Sequence, residues 1–304
     1  MASVPSRFVH DRQVTTSGAG EGTRTAMVRA SGGARLHVRC WPGQDMRPPF
    51  LLVHGLASNA QLWSEVADGL ARAGHRAVTV DQRGHGRSDK PDDGYDFATV
   101  TADLRAVVQG CALVRRIVVG QSWGANVVLE LAWRWPDLVA GIGCVDGGWI
   151  DLAHRFPVWA DCAEALSPPE LDGLRRVELE RRLRALHPDW PEAGIAATLA
   201  NFEHRRDGTV SPWLTRPRHL RVLAALWEHR PSQRYAEVRA PVLLVPAIGA
   251  DRSRSDLCEE VAVAERTLPV SRTRWLVGDH DLHAQQPDRL VAVLLEAVGD
   301  GFFG

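Results

Sequence analysis

Lysine is almost missing from this chain: among its 36 lysines and arginines, Lys90 alone is lysine. That skew reads as coding bias in a G+C-rich genome rather than as phosphate recognition. The formal net charge is -1 over 304 residues, which leaves no basic surplus for nucleic acid or an anionic membrane surface. Cysteine is sparse as well. Cys40, Cys111, Cys144, Cys162 and Cys258 show no C-x-x-C spacing, and an odd, scattered set points to reduced thiols rather than a disulfide framework. No apolar run approaches the length of a bilayer span. Residues 1–24 are polar and glycine-rich and lack the apolar core of a signal peptide. A P-loop, a dinucleotide fingerprint and zinc-ligand spacing are all absent, so neither cofactor nor metal is expected. What these absences leave is a soluble, cytoplasmic protein, with length enough for an α/β core and an insertion.

Hydrophobic patterning supplies the architecture. Residues 25–30 and 35–41 alternate like strands around the turn Ser31-Gly32-Gly33. Short runs that are apolar on both faces follow, Phe50–Val53, Ala77–Val80 and Ile117–Val119, with further strand candidates at Gly141–Val145, Val242–Val245 and Arg274–Val277. Such strands belong in the buried centre of a parallel sheet. Helical segments are expected near residues 60–73, 97–112 and 287–298, and strand–helix alternation argues for a doubly wound α/β fold. Residues 147–235 break the rhythm, with helical patterning near 169–186, 191–205 and 216–228 and no clear buried strand. The expected division is a loose segment 1–24, an α/β core of 25–146 and 236–304, and a helical cap of 147–235.

One pentapeptide carries chemistry. Gly120-Gln121-Ser122-Trp123-Gly124 fits G-x-S-x-G and stands between an apolar strand and an apolar helix. Glycines on both sides permit a tight strand-to-helix turn that pushes the serine hydroxyl out above the sheet. Serine is a weak nucleophile at neutral pH and needs a base, an acid to orient that base, and donors for an oxyanion. His280, after the last expected strand, stands where the base belongs; His283 is better placed for packing near the closing helix. For the acid, Asp251 follows the Val242–Val245 strand and gives the order Ser…Asp…His. Asp256 is a few residues further on, and Asp146, at the end of the Gly141–Val145 strand, is the alternative acid. The backbone N–H groups of Leu56 and Trp123 are the expected oxyanion donors.

Three segments together resemble the α/β-hydrolase superfamily: Val53-His54-Gly55, Asp81-Gln82-Arg83-Gly84-His85-Gly86-Arg87-Ser88, and the elbow itself. His280 with Pro287 also matches that family's closing pattern. The resemblance implies an eight-stranded, mostly parallel sheet with an inserted helical cap, and a cofactor-independent serine hydrolase acting on an ester, lactone or thioester of a small-to-medium hydrophobic substrate. Capped relatives that hydrolyse the carbon–carbon bond of a vinylogous diketone offer an alternative, as do non-hydrolytic biosynthetic catalysts and ligand receptors on this fold. Epoxide hydrolase or dehalogenase chemistry would require aspartate at position 122. His54, Trp123 and Trp149 are the expected pocket walls. His204-Arg205-Arg206-Asp207 reads as a solvated helix end rather than a metal or phosphate site.

Overall fold

A computed structural model describes residues 22–30, 32–249 and 254–303. Its strands are β1 (Arg24–Arg29), β2 (Arg35–Trp41), β3 (Phe50–Val53), β4 (Ala77–Val80), β5 (Ile117–Gln121), β6 (Gly141–Val145), β7 (Phe202–His204), β8 (Val210–Pro212), β9 (Val242–Val245), β10 (Ala247–Ile248), β11 (Ser271–Thr273) and β12 (Leu276–Val277). Every residue of β3, β4, β5, β6 and β9 is buried. That is why these runs carry no polar alternation: helices cover both faces.

Eight strands form one sheet in the order β1-β2-β4-β3-β5-β6-β9-β11. Pairing is antiparallel between β1, β2 and β4 and parallel from β4 to β11. The helices are α1 (Ser64–Arg72), α2 (Phe97–Gly110), α3 (Trp123–Arg134), α4 (Leu152–Arg155), α5 (Trp159–Ala165), α6 (Arg176–Leu186), α7 (Glu192–Leu199), α8 (Arg216–Glu228), α9 (Arg254–Thr267), α10 (Leu282–Gln285) and α11 (Pro287–Gly299). One apolar cluster joins the sheet to α1 and α11 through residues such as Val66, Leu70, Leu290 and Leu294. Another joins it to α2, α3 and α9 through Leu104, Val128 and Val261. This two-faced covering is the α/β-hydrolase fold, as the motifs implied.

Between β6 and β9 the chain runs through α4 to α8. A third cluster binds part of that segment to the rest: Leu179, Trp190 and Ile195 pack with Leu62 and Ala284. Three local expectations change. The helix expected from 169 starts only at Arg176, after Pro168, Pro169 and a Gly173 with φ +78°. A hairpin of β7 and β8 replaces the end of the helix expected over 191–205, so His204 lies on a strand and Asp207 in its turn. The expected strand 274–277 splits. Its sheet partner is β11, three residues earlier, while β12 pairs with β10 outside the main sheet. Among the described residues, no helix is long and apolar enough to cross a membrane.

Candidate active site

Ser122 is held in a backbone conformation that side chains rarely adopt, φ 55° and ψ -124°. Such strain persists only where the surroundings enforce it, and here they do. A Cβ on Gly120 would lie 2.2 Å from the Gly124 carbonyl oxygen, and one on Gly124 would lie 2.5 Å from that of His54. The Ser122 N–H donates to Val145 O at 2.9 Å, which ties the elbow to the end of β6. Trp123 opens α3, so its N–H belongs to the first helical turn, where donors have no partner within the helix.

The loop after β3 comes close to the elbow. A Cβ on Gly55 would stand 3.0 Å from Ser122 Cβ, which explains the glycine and brings the loop close to Ser122. Two buried imidazoles pin this loop. The Gln82 N–H donates to His54 Nε2 at 3.0 Å, so Nδ1 carries the hydrogen and donates to Gly55 O at 2.7 Å. Likewise the Ala57 N–H donates to His85 Nε2 at 3.3 Å, and His85 Nδ1 donates to Arg83 O at 2.9 Å. Burial lowers the pKa of both rings, as these neutral tautomers require. Asp81 accepts from Ala60 N–H at 2.7 Å, from Arg87 N–H at 3.0 Å and from His37 Nδ1 at 2.9 Å. Arg83 makes a bidentate pair with Asp103 at 2.6 and 2.8 Å. The Asp-x-Arg-Gly-x-Gly-x-Ser stretch is therefore a scaffold under the loop.

His280 follows β12, with its side chain 45% exposed, and its Nδ1 lies 2.5 Å from Asp146 Oδ2. Asp146 is 1% exposed, has φ 42°, and its Oδ1 accepts from Ala247 N–H at 3.1 Å. The carboxylate seen on the imidazole is thus the one after β6. Asp251, which the chain order favoured, lies outside the described residues. His283 is fully buried against Trp63, ring centroids 4.5 Å apart, and so has a packing position. Asp256 lines a different cavity.

Ser122, His280 and Leu56 line one cavity of about 210 Å³, together with Trp190 and Asn201. A second cavity of about 240 Å³ shares Ala57, Ser58, Thr198 and Asn201 with it and runs on among Leu171, Leu183, Phe202 and Leu214. The expected walls His54, Trp123 and Trp149 line neither of these two. His54 is buried beneath the loop it holds, and the Trp123 ring turns inward to stack on His85. Trp149 borders a separate cavity of about 470 Å³ beside α9, away from Ser122.

Sequence reasoning missed three partners of the site. Gln121 Nε2 donates to the His280 carbonyl at 3.0 Å. Asn59 Nδ2 donates to Ala197 O at 2.8 Å, fastening the loop after β3 to α7. Trp190 Nε1 donates to Asp279 Oδ2 at 2.8 Å. Each is a long-range pairing with no local periodicity or motif to reveal it. Among the described residues no group of three or more His, Cys, Asp or Glu is arranged to hold a metal ion.

The elbow, the buried acid and the two-faced sheet define an α/β-hydrolase architecture. Comparison with known proteins agrees: a sequence model of the alpha/beta hydrolase fold matches residues 48–186, just under half of the chain, so in sequence and fold the chain is similar to the α/β-hydrolase superfamily. Epoxide hydrolase B of Mycobacterium tuberculosis is 35% identical over 113 residues, covering 36% of this chain and 32% of that protein. Epoxide hydrolase A of the same organism is 32% identical over 141 residues, covering 46% and 44%. The match thus spans under half the length of either relative. Among solved structures, E-2-(acetamidomethylene)succinate hydrolase aligns with a TM-score of 0.72 at 24% identity, over 90% of this chain and 98% of that one. The thioesterase domain from the curacin biosynthetic pathway gives 0.70 at 21%, over 90% and 100%. At such identities the likeness is one of fold.

Proposed function

We propose that the chain is a cofactor-independent serine hydrolase that cleaves an ester, lactone or thioester of a small-to-medium hydrophobic substrate. The observation that carries this reading is the strained Ser122 and the Asp146-paired His280 opening onto one cavity. Ser122 Oγ attacks the acyl carbonyl carbon while His280 takes the hydroxyl proton at Nε2. Asp146 holds the ring through Nδ1 and stabilises the imidazolium that forms. The N–H groups of Leu56 and Trp123 receive the negative charge that develops on the carbonyl oxygen. His280 then gives its proton to the departing alcohol or thiol. Water, activated in turn by His280, attacks the acyl-enzyme and releases the acid with Ser122 restored. In this reading the segment 147–235 serves as a cap, and the bond from Trp190 to Asp279 supports it.

Serine at position 122 separates this activity from that in the names of the epoxide hydrolase relatives. A serine oxygen opening an epoxide would leave an ether, which water does not readily cleave, whereas acyl transfer leaves an ester that it does. A fluorophosphonate probe tests the reading: labelling at Ser122 of the native protein supports it. Folded protein that stays unlabelled, and inert toward a panel of esters, lactones, thioesters and vinylogous diketones, would sink it.

A further inference from the structure

The 240 Å³ cavity that continues from the Ser122 cavity is apolar along much of its wall, with His85, His219 and Ser58 among its polar residues. His219, on α8, is 6% exposed, lines this cavity, and has an Nδ1 without a hydrogen-bond partner among the described residues. Burial pushes its pKa down to about 4, so at neutral pH the ring is uncharged and carries one N–H and one lone pair. Ser58 Oγ, at the junction of the two cavities, is likewise buried without a partner. Buried polar groups of this kind carry a desolvation cost until something bonds them.

The size of the cavity limits what could do so. A cavity of about 150 Å³ accommodates a benzene ring, so 240 Å³ has room for a ring bearing a small substituent. The charge of the wall limits it further. The two charged residues that border the cavity, Glu170 and Arg216, are exposed and opposite in sign. A carboxylate carried inward would meet neutral imidazole and leucine, with no buried cation to pair it. A hydroxyl both donates and accepts, so it satisfies the imidazole in either tautomer.

We propose that this cavity is the subsite for the substrate's larger group, that the group is an aryl or compact cyclic moiety ending in an uncharged hydroxyl, and that His219 is the specificity-determining residue that bonds it. The assignment rests on Ser122 as nucleophile for its meaning, yet binding can be read without turnover. In the full-length Ser122→Ala protein, calorimetric titration should find 4-hydroxyphenylacetamide bound about tenfold more tightly than phenylacetamide, the increment of one added hydrogen bond. The carboxylate analogue, 4-carboxyphenylacetamide, should bind most weakly. His219→Leu in that background should erase the hydroxyl preference, and His219→Gln, which keeps a donor and an acceptor, should retain part of it. Equal binding of the first two probes, or a preference that survives His219→Leu, overturns the proposal. Wild-type cleavage of a simple acetate ester separates the two readings. Cleavage without the hydroxyl preference overturns the subsite and leaves the hydrolase; the preference in a protein inert to every ester leaves the subsite and overturns the hydrolase.

Discussion

Trp190 donates its indole N–H to Asp279 Oδ2 at 2.8 Å, so a residue of the inserted segment holds the immediate neighbour of His280. From the sheet side, Gln121 holds the His280 carbonyl at 3.0 Å. The proposed base, His280, therefore stands on a loop bonded both from the segment between β6 and β9 and from the sheet.

Trp190→Phe keeps the ring that packs on His187 and removes the donor. The expected result is a fall in kcat of about tenfold, from a less well-positioned imidazole. Fluorophosphonate labelling should slow in proportion, while the thermal midpoint moves little.

Asp146→Asn should lower kcat by about 10⁴-fold, because an amide cannot fix the tautomer or stabilise the imidazolium. Asp251→Asn is expected to stay within about threefold of wild type. Steady-state rates on one activated ester decide between them, and the reverse ranking would return the role to Asp251. Ser122→Ala should lose turnover by about 10⁴-fold or more with its circular dichroism unchanged.

Glycine substitutions should differ sharply by position. A Cβ at Gly124 would meet the backbone oxygens of His54 and Val53 at 2.5 and 2.6 Å, neither of which can move aside. Gly124→Ala should destabilise the fold by about 3 kcal/mol, read from the urea midpoint. Gly299, the last residue of α11, has nothing within 4 Å of its would-be Cβ. Gly299→Ala should stabilise by roughly 0.5–1 kcal/mol.

His283 makes stability depend on pH in a defined window. Burial lowers its pKa from 6.5 to about 4. Above pH 6.5 the ring is neutral in both the folded and unfolded chain. Between 6.5 and 4 only the unfolded chain takes up the proton, so stability falls as the solution is acidified. At pH 5 the loss from this residue is about 2 kcal/mol. His283→Phe should flatten the fall between pH 7.5 and 5 in chemical denaturation, apart from the share carried by other buried histidines.

The central strands, the elbow and the loop before it were legible in the sequence because each obeys a local rule. Val, Leu and Ile fill strands buried on both faces, and Gly120 and Gly124 stand where no side chain fits. The acid was less legible. Asp146 and Asp251 both follow apolar strands, and spacing alone does not say which carboxylate reaches a histidine 134 or 29 residues away. The pocket walls were hard to read for a related reason. Trp123 and Trp149 are large and near the elbow in sequence, yet nearness along the chain does not fix which way a ring turns. Leu171, Phe202 and His219 come from separate pieces of the insertion, and only tertiary packing gathers them.

Ser122 and Asp146 end two neighbouring parallel strands whose register pairs Gln121 with Val145. Their separation is set by the spacing of adjacent strands, about 4.8 Å, and by a backbone hydrogen bond at the strand ends. Warming cannot drive these two residues apart without unzipping the middle of the sheet. His280 lies outside the main sheet, on a loop held by side-chain bonds from Gln121 and Trp190, by Asp279 N–H to Gln285 and by Gly278 N–H to Ile248 O. Heat inactivation that runs ahead of global unfolding would therefore trace to the histidine loop, and reinforcing that loop is the direct route to an enzyme that tolerates higher temperature.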